Sequence, residues 1–142
     1  MERTTILAAL QHRLTTDPDG AYLDFDGDMW TARRIDEASR RVAAQLVSLG
    51  VKPGECVASL AENSAAQVVL FFATVRIGAI AVPINTAYKG EFLRHQLADC
   101  GAPVIVVQPS FTERVDEVRG ADSTPALRHV VPTESIESID AP

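Results

Sequence analysis

The stretch GAIAVPINTAYKGEF, Gly78 to Phe92, sets Asn85, Thr86, Tyr88 and Lys89 close together after an apolar run broken by Pro83. An amide, a hydroxyl, a phenol and an ammonium in so short a span could line a pocket, orienting a ligand and meeting an anionic group. The same residue types also suit a polar connector between a strand and a helix. Spacing alone leaves both readings open.

Other chemistry-bearing residues are more scattered. His95 and Cys100 stand five residues apart on one predicted helix, about 140° around its axis, so they do not face each other as base and nucleophile. His12, His95 and His129 fall in separate elements, and no GxSxG elbow is present. Cys56 and Cys100 lack CxxC spacing and neighbouring histidines, so neither a zinc nor a redox motif is read, and each cysteine is expected to be a small buried hydrophobe. Asp17, Asp19, Asp24, Asp26 and Asp28 invite a calcium loop, but counting from Asp24 puts Met29 where the loop needs glycine and Ile35 where it needs a bidentate glutamate. No metal site follows.

Glycines at 20, 27, 50, 54, 78, 90, 101 and 120 cannot build GxGxxG or GxxxxGK[ST]. Helix starts at Ser64 and Ser110 could attract an anion, but each serine heads a capping box, with Gln67 and Glu113 respectively, that already occupies the helix end. The residues alone therefore name no catalytic group and no cofactor-binding residue.

The elements that would position these groups are legible from periodicity. After an N-terminal helix, AYLDFDGDMWT alternates about Asp26-Gly27 and predicts a hairpin with a type I′ turn. In TARRIDEASRRVAAQLVSLG, residues Ile35, Ala38, Val42, Leu46 and Leu49 make one apolar helix face, with Asp36–Arg40 and Glu37–Arg41 pairs expected on the solvated side and Gly50 at the end. CVASLA, AIAVPI, VIVVQ and RHVV then read as strands alternating with helices in SAAQVVLFFATVRIG, buried nearly all round, in EFLRHQLADC ended by Gly101, and in SFTERVDEVRG. This is an α/β fold: βαβ units forming a mainly parallel sheet with helices on its faces. Residues 1–132 form the domain and the polar 133–142, without helical or strand period, form a chain end or the start of a connection. Sheets of this kind bind ligands beyond the carboxyl ends of their strands, which singles out Glu62-Asn63, Asn85 to Lys89 and Gln108-Pro109.

Composition narrows the class. At 46% hydrophobic and 23% charged over 142 residues, the chain has the make-up of one ordinary globular domain. Its net charge of −6, with two Lys and eleven Arg dispersed, excludes the positive footprint that nucleic acid requires. No apolar run nears the ~20 residues of a membrane span and no secretory cleavage pattern is present, so a cytoplasmic location is expected.

Trp30-Thr31, Leu49-Gly50-Val51 with Pro53-Gly54, Asn63, Gly78-Ala79, Pro83-Ile84-Asn85 and Glu91-Phe92 occur in an order that resembles the N-terminal part of the adenylate-forming superfamily. Within it the chain looks like the acyl-CoA synthetases of the fatty-acyl or crotonobetaine/carnitine-CoA ligase type, over about residues 20–110. The resemblance implies a part of that family's large AMP-binding domain. For the intact enzyme it implies ATP, Mg²⁺ and CoA, with a carboxylic acid converted to an acyl-adenylate and then to acyl-CoA. It also implies that GAIAVPINTAYKGEF positions the sheet rather than reacting.

The family's Ser/Thr/Gly-rich loop ending in Pro-Lys has no counterpart here. Lys52 and Lys89 lie outside any matching motif, so no catalytic residue is carried over and this chain alone is expected to be inactive. The alternative expectation is a free-standing, non-catalytic interaction module that self-associates through apolar surface.

Overall fold

The computed structural model describes residues 5–137. Helix α1 (Ile6–Thr16) starts at Thr5, whose hydroxyl accepts from the Ala8 N–H at 3.0 Å. Near its end Arg13 donates to the Ala21 carbonyl at 2.9 Å and ties the helix to the hairpin β1 (Ala21–Phe25) and β2 (Asp28–Thr31). At the turn Asp26 has φ 52° and Gly27 φ 90°, the two positive values that a type I′ turn demands. Asp24 accepts the Gly27 N–H at 2.7 Å and holds that turn.

Helix α2 (Ala32–Ser48) begins where the Thr31 hydroxyl accepts from the Arg34 N–H at 3.0 Å. Ile35, Ala38, Val42 and Leu46 are buried, as their spacing predicts. Asp36 departs from its expected place on the solvated side. It does meet Arg40 at 3.0 Å, but its side chain is only 15% exposed and it also pairs with Arg76 of the next helix. Arg76 donates further to the Ser39 hydroxyl at 3.0 Å, so this polar flank of α2 is an interhelical contact.

The main sheet holds β3 (Cys56–Leu60), β4 (Ile80–Pro83), β5 (Val104–Val107) and β6 (His129–Pro132), all parallel in the order β4-β3-β5-β6. Its strand alternation feeds two cores. Val57, Val104 and Val106 join Trp30, Ile35 and Val69 on the face covered by α1, α2 and α3 (Ala65–Arg76). Ala58, Leu60, Ile105 and Val107 join Leu93, Leu97 and Val115 under α4 (Gly90–Cys100) and α5 (Thr112–Val118). Full burial of a side chain such as Leu60 or Ile105 stabilises by about 1.5–3 kcal/mol, which makes this two-sided packing the main cohesive term.

Four local expectations need amendment. Ser110 caps nothing: Pro109 opens a 3₁₀ turn (Pro109–Phe111), so Ser110 lies inside it and accepts from the Gln108 amide at 3.0 Å instead. No side-chain cap opens α5 at Phe111. Only half of the Ser64 box forms, because the Gln67 N–H meets Ser64 Oγ at 3.3 Å while the Gln67 side chain donates to the Ala61 carbonyl at 3.0 Å. Phe71 of α3 is 43% exposed, so that helix is not buried all round.

The fourth concerns the polar end of the chain, which contains a helical turn, α6 (Glu134–Glu137). It forms because Ile136, 3% exposed, packs into the core beside α3. Positions 138–142 of that end lie outside the described residues.

Candidate functional site at the carboxyl ends of the strands

The strand order creates the place where a ligand would enter. From β3 the chain crosses through α3, on one face, to β4, whereas from β5 it leaves through α5 on the opposite face. The loops after β3 and β5 therefore part company over adjacent strands, which opens a crevice beyond their carboxyl ends.

Gln108 stitches that crevice. Its N–H donates to the Leu60 carbonyl at 2.9 Å, and its side-chain oxygen accepts the Glu62 N–H at 3.0 Å. Beside it lies an open cleft of about 750 Å³, rimmed by Glu62, Asn63 and Gln67 from the β3 loop and α3, and by Ile84, Asn85 and Thr86 after β4. Two of the three flagged loops line the cleft, and the third holds one wall in place.

Asn85 has two duties. Its side-chain oxygen accepts the Ala87 N–H at 2.9 Å and its carbonyl accepts the Tyr88 N–H at 2.9 Å, which makes it a turn residue, yet it stands exposed on the rim. Thr86 is fixed through its carbonyl, which accepts from Arg114 of α5 at 2.6 Å. Tyr88 turns away, half-buried, against the core under α4 and against Phe92 with ring centroids 5.8 Å apart. Lys89 is exposed at the start of α4 and makes no capping bond. The connector reading therefore holds for Tyr88, while Asn85 and Thr86 are connector and rim at once.

The remaining candidates are dispersed. His12 on α1 and His95 on α4 are exposed, and His129 opens β6 half-buried. Cys100 sits at the far end of α4, beside the amino ends of the strands, where burial pushes its thiol up and away from the reactive thiolate. Cys56 begins β3, half-buried against the same core. Lys52 lies in the loop before β3, its N–H bonded to Glu55 at 2.8 Å, remote from the cleft.

The aspartates divide among different partners. Asp17 meets Arg13 at 3.3 Å, Asp19 meets Arg33 at 2.8 Å, and Asp28 takes the Trp30 indole N–H at 2.9 Å. Among the described residues no three His, Cys, Asp or Glu side chains gather to hold a metal.

The arrangement can thus present the acidic side chain of Glu62, the amides of Asn63, Gln67 and Asn85 and the Thr86 hydroxyl to a ligand, and among the described residues it brings no nucleophile and base together. Sequence reasoning flagged the rim loops but missed what holds them, namely Gln67, Gln108 and Arg114. Gln108 lay within a flagged loop, but its bond to Glu62 spans 46 positions and only tertiary pairing reveals it.

Residues 10–141 match the family described as AMP-binding enzyme. A long-chain-fatty-acid–CoA ligase of Escherichia coli O6:H1 is 38% identical over 108 residues, which is 75% of this chain and 19% of the relative. The medium/long-chain-fatty-acid–CoA ligase FadD6 of Mycobacterium tuberculosis is 31% identical over 135 residues, 95% of this chain and 22% of the relative. Among solved structures, the anthranilate CoA ligase AuaEII in complex with anthranoyl-AMP superposes with a TM-score of 0.84 at 31% identity, covering 92% of this chain and 26% of that one. A Mycobacterium tuberculosis fatty acyl CoA synthetase gives 0.81 at 28% identity, over 92% and 27%.

The chain therefore spans about a fifth of the length of the curated relatives it matches. Its parallel sheet, two-sided core and carboxyl-end cleft are a part of a larger fold shared by adenylate-forming ligases. On the sequence match and the structural likeness together, the chain belongs to the AMP-binding enzyme family.

Proposed function

We propose that this chain is the N-terminal portion of a fatty-acyl-type CoA ligase, with residues 1–132 building part of its large domain and 133–142 leading onward. In the intact enzyme a carboxylate oxygen of the fatty acid attacks the α-phosphorus of ATP and pyrophosphate leaves. The CoA thiol then attacks the acyl carbon and AMP leaves. The observation that carries the reading is the 38% identity to a long-chain-fatty-acid–CoA ligase over 75% of the chain.

Within that enzyme these residues act as scaffold, and the cleft rimmed by Asn63, Asn85 and Thr86 contributes an edge of the acyl or CoA channel. Magnesium would neutralise phosphate charge, but the described residues offer no carboxylate cluster to hold it, so no step through it is assigned to this chain. The 142 residues alone are inactive, for want of the phosphate loop and the adenylation lysine. A cytoplasmic setting suits water-borne ATP and CoA, and no helix among the described residues is long and apolar enough to cross a membrane.

The test is ATP–pyrophosphate exchange with palmitate and Mg²⁺. The chain alone is expected to give none. A single polypeptide in which residues 10–141 replace the matching segment of the Escherichia coli ligase is expected to restore exchange and acyl-CoA formation. Acyl-adenylate made by the unaided chain, or a folded hybrid without activity, contradicts the reading.

A further inference from the structure

We propose that Cys56 and Cys100 close into an internal disulfide that braces the end of α4 against the start of β3. The inference stands apart from the ligase reading, since neither side chain reaches the cleft.

The sheet register brings the two residues together. Cys56 opens β3 and, by strand alternation, faces the same side as Ala58 and Leu60. Cys100 ends α4 and, three positions after Leu97, continues the helix stripe that covers that side. Both cysteines are half-buried and pack against this one core. Val57 stands opposite Val104, so the position beside Cys56 on the chain entering β5 is Pro103, three residues after Cys100. Gly101, at φ 61°, ends the helix and turns the chain back to the sheet within that short link.

The surroundings of the sulfurs agree. The Cys100 thiol donates to the Leu97 carbonyl at 3.6 Å, a weak bond within its own helix. Burial pushes that thiol up, and a charge on Cys56 pushes it in the same direction, so the two sulfurs sense each other at the edge of the core. Half-burial gives a small oxidant access. The pair lies at the amino end of β3, about 13 Å along the strand from the end that borders the cleft.

A low-molecular-weight disulfide such as oxidised glutathione supplies the oxidising equivalents. One cysteine thiolate attacks a glutathione sulfur and expels one glutathione thiolate. The second cysteine thiolate attacks the cysteine sulfur of that mixed disulfide, the protein S–S bond forms and the second glutathione thiolate leaves. The pair gives up two electrons and two protons, and one glutathione disulfide becomes two glutathiones. Where thiols keep the surroundings reducing, the pair rests as two thiols and closes when that pool is oxidised. The bond turns the chain from Cys56 to Cys100 into a closed loop, which restricts the unfolded state more than the folded one.

The test equilibrates the reduced 142-residue chain with mixtures of reduced and oxidised glutathione, folded and in concentrated urea. Tryptic peptides 42–76 and 95–114 are expected to be joined in a monomeric chain. The effective concentration of one thiol at the other is expected to be at least about 10-fold higher in the folded chain than in urea. The joined form is expected to melt at least about 5 °C above the reduced form, and a reductant to reverse the rise. Cys56→Ser and Cys100→Ser are each expected to show no rise with the oxidant.

Glutathione adducts without joined peptides, or joined peptides found only in linked dimers, overturn the proposal. So does an effective concentration no higher in the folded chain than in urea. A joined form that melts no higher than the reduced one, or a rise that persists in either serine variant, overturns the bracing role.

Discussion

Replacing Asp36 with alanine isolates the contact that joins α2 to α3. Asp36 and Arg76 are 15% and 16% exposed, whereas Arg40, which meets the same carboxylate, is 59% exposed. Removing one partner of a buried ion pair costs ~3–5 kcal/mol because the other charge stays desolvated. Residual exposure and the surviving Ser39–Arg76 bond bring the expected loss down to about 2–3 kcal/mol. For a domain of this size that lowers Tm by about 10 °C.

Arg40→Ala removes only an exposed partner and is expected to cost less than about 1 kcal/mol. The assay is urea unfolding followed by circular dichroism on Asp36→Ala, Arg76→Ala, Arg40→Ala and the Asp36/Arg76 double variant. A coupling energy above about 1 kcal/mol for Asp36 with Arg76, persisting in 1 M salt where surface pairs are screened, is expected. Equal small losses for Asp36→Ala and Arg40→Ala would refute the reasoning.

Three further outcomes are expected. Gly27→Ala meets no steric neighbour, so its loss of roughly 1 kcal/mol in urea unfolding comes from φ 90° alone, and Gly27→Asn is expected to cost less. Gln108→Ala leaves the Glu62 N–H without its acceptor, so the Glu62 amide is expected to exchange faster, at a stability cost of about 0.5–1.5 kcal/mol. The Trp30 indole N–H beside Asp28 holds that carboxyl below its ordinary 3.8, so the stability it contributes is present above that pH and is lost as pH falls through the lower folded value. Fluorescence of Trp30, the single tryptophan, is expected to change in that acid window, and Asp28→Asn to remove the change.

What the sequence made legible was whatever depends on neighbours a few positions away. Asp26-Gly27 announces its turn because few other residue pairs accept two positive φ values, and Ile35, Ala38, Val42 and Leu46 announce a face because helical spacing stacks them. Ser110 misled because the capping pattern ignores Pro109, which starts the turn one residue early. Asp36 misled because a polar helix flank looks the same whether water or a second helix lies against it. Ile136 lies in a largely polar stretch, and only its packing into the core beside α3 gives it a place.

The cleft was foreseeable as a location, since the loops that line it, at Glu62-Asn63 and from Asn85, follow the carboxyl ends of predicted parallel strands. Its stitching through Gln108 and Arg114 was not, because those bonds join loops that only the folded sheet brings together.

The central claim is that these residues are the first part of an acyl-CoA ligase. It is tested most directly by sequencing the gene immediately downstream of the Pro142 codon. An in-frame continuation into a Ser/Thr/Gly-rich loop ending in Pro-Lys is predicted. A stop codon at that point would contradict the claim and leave a separate protein built on the same sheet.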